Sequence, residues 1–261
     1  TSITVPDIDA VVDTGLERRI EVVDGVEGLY LKPISLADRN QRKGRAGRTK
    51  PGIYIDMCPA KDEERGEFPK AEILRTRLDQ TVLHLAIAGI DMEGLRFFHQ
   101  PDIAEIHEAK RALIALGCLT QEGVVTDIGH KVARLPISVK YARMIVEADR
   151  LGVVDDVITI TAILEMGEVT ERLASDYEYP KWKSLVSDES VSDALAQLAV
   201  YKAAFGKGKD WHVENGIYRP NFFKVKDLRE HLVDVLRDKI SIYSSGNREA
   251  ILKSICSGMV D

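Results

Sequence analysis

The chain has 261 residues, 44% of them hydrophobic and 30% charged, which is enough apolar material to bury one or two domain cores. A net charge of −6 argues against a protein that coats nucleic acid through a broad basic surface, and leaves room for a narrow basic channel on an acidic body. Cys58, Cys118 and Cys256 stand far apart without any Cys-x-x-Cys spacing. Neither a zinc ribbon nor a disulfide framework is suggested, and the expected setting is a reducing cytoplasm. The longest apolar stretch, around residues 83–90, falls far short of the ~20 residues of a membrane span, so no membrane partner is expected. The first residues, Thr1-Ser2-Ile3-Thr4, carry no targeting pattern and no methionine, which hints at an excised piece or a processed chain.

In chain order, residues 8–13 form a short apolar run closed by Thr14-Gly15, and residues 19–23 meet residues 29–32 across Asp24-Gly25, a strong hairpin signal. Ser35 with Asp38 three residues on reads as a capping box that opens a helix, which is expected to end in the glycines at 44 and 47. Residues 52–57 then read as a buried strand. Residues 1–58 are thus strand, hairpin, helix, strand: the end of an α/β domain with no beginning. The charged segment within 59–68 is the candidate linker.

Beyond the linker the period becomes helical. Ile73, Leu74, Leu78, Val82, Leu83, Leu85 and Ala86 share one helical face, and 104–116 gives a second amphipathic helix stopped at Gly117. Residues 118–120 and 124–126 flank Glu122-Gly123 as a tight hairpin, and another helix starts at Asp127. Helix, helix, hairpin over 69–135 is the arrangement of a winged-helix module. From Pro136 the reading is helical, with apolar stripes over 141–151, 155–165, 191–205 and 222–242, and with two polar, aromatic-containing loops over 175–188 and 206–220. A body over 136–243 and a fresh start at 244–261 complete the expected division.

One stretch carries chemistry: Gln41-Arg42-Lys43-Gly44-Arg45-Ala46-Gly47-Arg48. On a continuous helix Gln41, Arg45 and Arg48 fall within about 60° of one another. That face presents an amide and two guanidiniums, which grip phosphate oxygens in a bidentate fork. Gly44 and Gly47 each cost about 1 kcal/mol of helix propensity, a cost tolerated where a backbone or ligand must come close. Taken alone, the cluster also fits an exposed Arg/Gly loop or a generic phosphate patch. Buried strands expected on both sides argue against a disordered tail.

This stretch, followed by Pro51-Gly52, resembles motif VI of superfamily 2 helicases in its DEAH-box form. Thr1-Ser2-Ile3-Thr4-Val5 with Val11-Val12-Asp13-Thr14-Gly15 is similar to the second half of that branch's motif V. The later segments are similar to its winged helix, its ratchet domain and, over 251–258, the lead into an OB-fold. The resemblance implies that Arg45 and Arg48 are arginine fingers of a second RecA-like domain. With Gln41 they contact the phosphates of ATP, which is bound with Mg²⁺ in a longer parent protein. Arg42 lies off that face and takes a structural or relay role. Thr1, Ser2 and Thr4 would contact the RNA backbone. Pro6 stands where many members carry a ribose-contacting aspartate, a departure that fits loose sugar selectivity. The hairpin from Arg18 to Lys32 resembles one near a duplex entrance, and a plain surface hairpin fits the residues equally.

No G-x-x-x-x-G-K-[ST] and no Asp-Glu-Ala-His occurs in the sequence. Without them the phosphates and Mg²⁺ have no cradle, so the chain alone is expected to bind no nucleotide cofactor and to be inactive. The six histidines show no ligand spacing, and no metal site is expected. Trp182, Tyr177, Tyr179 and Trp211 either stack on unpaired bases or pin the polar loops to the helices. Lys207, Lys209, Arg219, Lys224 and Lys226 either face an RNA backbone, Lys224 foremost, or form a solvated face. The resulting expectation is a piece of a monomeric, ATP-dependent 3′→5′ RNA helicase that acts on single-stranded RNA with an activating protein partner. The rival is a non-catalytic winged-helix adaptor that binds protein or nucleic acid.

Overall fold

The computed structural model describes residues 8–23, 26–58, 65–171, 180–186 and 192–259. The expectations placed on Thr1, Ser2, Thr4 and Pro6, on the Asp24-Gly25 turn, and on Tyr177 and Tyr179 fall outside the described residues. The chain forms two compact units: Thr1–Leu78 with Met92–Ala109, and Asp79–Asp91 with Lys110–Asp261. Among the described residues the strands lie in the first unit and the second is helical, an α/β part followed by a mostly α part as the patterning predicts.

In the first unit β1 (Ala10–Asp13) leads into a hairpin of β2 (Leu16–Val23) and β3 (Val26–Pro33), followed by helix α1 (Leu36–Ala46) and β4 (Ile53–Asp56). β1 and β4 pair in parallel, with Ala10 opposite Ile53 and Asp13 opposite Asp56. Parallel neighbours need a long crossover, which the hairpin and α1 supply. The chain leaves β1 through Gly15 at φ +68°, where an added Cβ would lie 2.2 Å from Cys58 Cβ. Only glycine fits that corner.

Residues 52–57 differ from the expected buried strand. The strand forms, but Ile53, Ile55 and Met57 are exposed, as is Val12 opposite Ile55. An alternating apolar pattern reports which face of a strand is apolar and says nothing of what covers it. The other face, with the buried Asp13 and the half-buried Tyr54, lies against α1. In the hairpin, Ile20, Leu29 and Leu31 are exposed on one face, while Arg19 pairs with Glu17 and Glu21, and Lys32 with Glu21, on the other.

The helical face expected from Ile73 to Ala86 is broken in two. A 3-10 turn at Glu72–Leu74 is followed by irregular chain, and α2 (Asp79–Ile87) begins only afterwards. Arg75 is the cause. Its carbonyl accepts from Val22 N at 2.9 Å and its guanidinium donates to Ile20 O at 2.6 Å, which holds the backbone on the hairpin edge.

The remaining helices are α3 (Ile103–Ala115), in which the chain passes from the first unit to the second, α4 (Asp127–Val132), α5 (Val139–Leu151), α6 (Val154–Met166), α7 (Asp193–Ala204), α8 (Lys209–Glu214), α9 (Arg219–Leu236) and α10 (Arg248–Cys256). The expected tight hairpin before α4 is present as a single bridge, Leu119 to Val125, with Thr120 N donating to Val124 O at 2.8 Å. Thr126 caps α4 through Gly129 N. α6 is apolar nearly all round and is the buried centre, packed by α5, α7, α9 and α10. Its two leading acids are paired: Asp155 with Arg229, and Asp156 with Lys202 and with Ser244 Oγ at 2.6 Å. α8 lies inside the stretch expected as loop 206–220. It is fixed by His212, 1% exposed, whose Nε2 lies 2.9 Å from Ala204 O. No described helix is long and apolar enough to cross a membrane.

Candidate functional site

Helix α1 starts where the sequence says it should. Ser35 caps it, accepting from Asp38 N at 3.1 Å and donating to Asp38 Oδ2 at 2.7 Å. Two first-turn amides are satisfied from outside the helix, Leu36 N by Gly66 O and Ala37 N by Glu67 O, both at 3.0 Å. Arg65, its side chain buried, donates to Ile34 O at 3.1 Å beneath the cap. The helix ends in the expected glycines: it passes through Gly44 and runs to Ala46 with Gly47 as its cap. The chain then folds back so tightly that a Cβ on Gly52 would lie 1.9 Å from Ala46 O.

This end point rearranges the expected face. Gln41, exposed, and Arg45, half-buried, lie one turn apart on α1. Arg48, exposed, follows the helix end and is carried by the turn. A Cβ on Gly44 or Gly47 would meet nothing within 4 Å, so the described residues leave the surface beside the arginines open.

The sheet-facing side of α1 is ion-paired. Arg42 Nη1 donates to Asp13 Oδ1 at 2.7 Å and to Leu16 O at 3.3 Å, and Arg39 Nε donates to Asp56 Oδ2 at 2.7 Å. Tyr54 Oη donates to Asp13 Oδ2 at 2.8 Å, and its ring lies 5.9 Å below the Arg39 guanidinium. The strand backbone completes both carboxylates, with Gly15 N on Asp13 Oδ1 and Cys58 N on Asp56 Oδ1, each at 2.9 Å.

Burial opposes ionisation of Asp13, but the Gly15 amide, Arg42 and Tyr54 outweigh it and hold the carboxyl below its ordinary range. For Asp56 the Cys58 amide is the largest influence, and together with Arg39 it lowers that pKa against the opposing effect of burial. Burial and then the Asp13 carboxylate push the Tyr54 hydroxyl up. The off-face position of Arg42 was legible from helical angle. Arg39, Tyr54 and Asp56 stand outside the expected site residues and Asp13 enters only through the motif V resemblance, although two arginines three apart and two aspartates closing apolar runs were the available signal.

The remaining expected contacts lie elsewhere. Arg18 is exposed on β2, opposite Leu31. Lys224 is exposed on α9 in the second unit, where Lys207 lies 5.8 Å from the Trp211 ring and Arg219 lies 5.2 Å from that of Phe223. Trp182 and Trp211 pack against the core that contains Val200, Tyr201 and Phe222, which favours the loop-pinning use for both. Among the described residues no three His, Cys, Asp or Glu side chains gather as a metal site.

No family model matches the chain. It is 35% identical over 202 residues to the ATP-dependent RNA helicase HrpA of Escherichia coli, covering 72% of this chain and 16% of that protein. It is 36% identical over 220 residues to the HrpA homolog of Haemophilus influenzae, 77% of this chain and 16% of that protein. It is 30% identical over 269 residues to the pre-mRNA-splicing factor ATP-dependent RNA helicase prp22 of Schizosaccharomyces pombe, 99% of this chain and 23% of that protein. The chain therefore spans less than a quarter of the length of these relatives. On this similarity, together with the motif that α1 carries, the chain belongs to the DEAH-box family of RNA helicases.

Proposed function

We propose that this chain is the part of an ATP-dependent 3′→5′ RNA helicase that presents Gln41, Arg45 and Arg48 to the phosphates of ATP held by a preceding domain. Residues 1–58 close the second RecA-like domain and 59–68 link it onward. A winged helix over 69–135 and a ratchet-like body over 136–243 line the path of single-stranded RNA, and 244–261 open an OB-fold. The helicase works as a cytoplasmic monomer stimulated by a protein partner. The observation that carries this reading is α1 itself: one side is ion-paired to two strand ends, while Gln41 and Arg45 are carried a turn apart beside uncrowded glycines.

Arg45 and Arg48 act by charge. Negative charge on the γ-phosphoryl oxygens spreads as the bond to the leaving oxygen loosens, and guanidinium forks held in place stabilise that charge more than they stabilise bound ATP. Gln41 orients an oxygen or the attacking water. Mg²⁺, when bound with ATP, neutralises the β- and γ-oxygens. Asp13 and Asp56, the acids beside α1, already have their oxygens engaged by arginines, Tyr54 and backbone amides.

The test is ATP hydrolysis by the full-length helicase with Arg45→Ala or Arg48→Ala. Loss of an arginine finger is expected to lower kcat by about 10³-fold or more, with a thermal melt close to wild type. A kcat within twofold of wild type for both variants sinks the proposal.

A further inference from the structure

We infer that Asp13 and Asp56 are positioning residues that set the angle of α1, and through it the aim of Gln41 and Arg45; this rests on the finger reading above. The two carboxylates are Cα partners at the last positions of parallel strands. Two unscreened negative charges at neighbouring positions repel, and a sheet has no structural need for them there. Each is met by a different arginine of the same helix, Arg42 on Asp13 and Arg39 on Asp56, three residues apart along α1.

The number of attachments decides what the arrangement can do. A helix tied at one point can still roll about that point or slide along its axis. Two ties nearly a turn apart, onto strands fixed in register, remove both freedoms. Tyr54 joins the ties by donating to Asp13 while its ring lies under Arg39, so the two pairs form one connected unit. Asp13 is 4% exposed, and its oxygens accept from Gly15, Arg42 and Tyr54, three segments of the chain. Adjacent strand-end carboxylates are also what a divalent-cation site would use, but here each oxygen already accepts from an arginine, a backbone amide or Tyr54. Gln41 and Arg45 sit on the same 11-residue helix and take their direction from it. A misplacement of about 1 Å at a group that acts on the transition state costs on the order of 100-fold in rate.

The experiment uses the full-length helicase with Asp13→Asn, Asp56→Asn and Arg45→Ala. Binding of ADP alone is compared with binding of ADP–aluminium fluoride, a mimic of the phosphoryl in flight. Each Asp variant is expected to bind ADP at full stoichiometry with affinity within about twofold of wild type, and to bind the mimic about tenfold or more weakly. The KM for ATP should hold while kcat falls in parallel. Asp56→Asn alters the more exposed pair and keeps the test open should Asp13→Asn fail to fold. Wild-type affinity for the mimic overturns the inference, as does a loss of kcat explained entirely by lost ADP stoichiometry. If Arg45→Ala itself leaves the mimic bound, the finger reading fails first, and that outcome is distinct from Arg45→Ala losing the mimic while both Asp variants keep it.

Discussion

Arg42 reaches from the middle of α1 to the buried end of β1, where its Nη1 lies 2.7 Å from Asp13 Oδ1. The carboxyl is held below its ordinary pKa despite burial, so the pH dependence has a fixed sign. A depressed carboxyl contributes stability above its unfolded value, near 3.9, and that contribution is lost as pH falls through the lower folded value. Asp13→Asn should therefore cost about 1–3 kcal/mol at pH 7. The gap from wild type should close below about pH 4, read by urea unfolding at a series of pH values. A gap that persists unchanged into acid would mean that the pairing is not what Asp13 contributes. Asp56→Asn, at a partly exposed pair, should cost about 1 kcal/mol or less.

Three glycines around α1 should respond in opposite directions. Gly15 has φ +68° and Cys58 Cβ in the way, so Gly15→Ala should destabilise the first unit by about 3 kcal/mol or more. Gly52→Ala meets the Ala46 carbonyl and should do likewise. Gly44 has open space, so Gly44→Ala should raise stability by about 1 kcal/mol through helix propensity. If that space is left for an approaching nucleotide domain, the same substitution should lower ATP hydrolysis in the full-length helicase. Melting curves beside ATPase rates separate the two effects. A Gly44→Ala enzyme both more stable and fully active would remove the case for close approach there.

What the sequence made legible here follows from what local patterns encode. The capping pair Ser35 and Asp38, the strand, hairpin, helix, strand order of the first 58 residues and the helical body were readable because each depends on residues a few positions apart. The end of α1 in its glycines was readable as well, with Gly47 as the cap. The place of Arg48 beyond that end was not, nor were the partners of Arg39 and Arg42, since Asp56 and Asp13 lie 17 and 29 residues away. The break at Arg75 is likewise set by a hydrogen bond to a hairpin 55 residues upstream. α8 has no stripe to read, because its six residues are mostly polar and the buried His212 anchors them.

The aromatic residues of the second unit divide by burial. Trp182 packs on the core that holds Val169, Val200 and Phe222. Trp182→Ala should cost about 3 kcal/mol of stability, and RNA affinity per folded molecule should stay within twofold. Chemical unfolding paired with RNA titration reads both quantities. A stable variant with weakened RNA binding would instead give Trp182 a stacking role.

Arg18 and Lys224 are exposed cations on different units, and the nucleic-acid contact expected of each is here proposed to be with the RNA backbone. A phosphate contact has a particular signature. It releases a counterion, so log K falls with log salt, by about 0.7 per phosphate for a single strand. Alanine at Arg18 or Lys224 should lower affinity alike for unrelated single-stranded sequences and reduce the steepness of that salt dependence by about 0.7 each, with little change in thermal stability. Fluorescence anisotropy of a labelled oligoribonucleotide on the purified chain, over a salt series, measures this directly. If RNA fails to bind at any salt, the channel reading gives way to the protein-binding adaptor. If it binds with an unchanged slope in both variants, the backbone contacts belong to other residues.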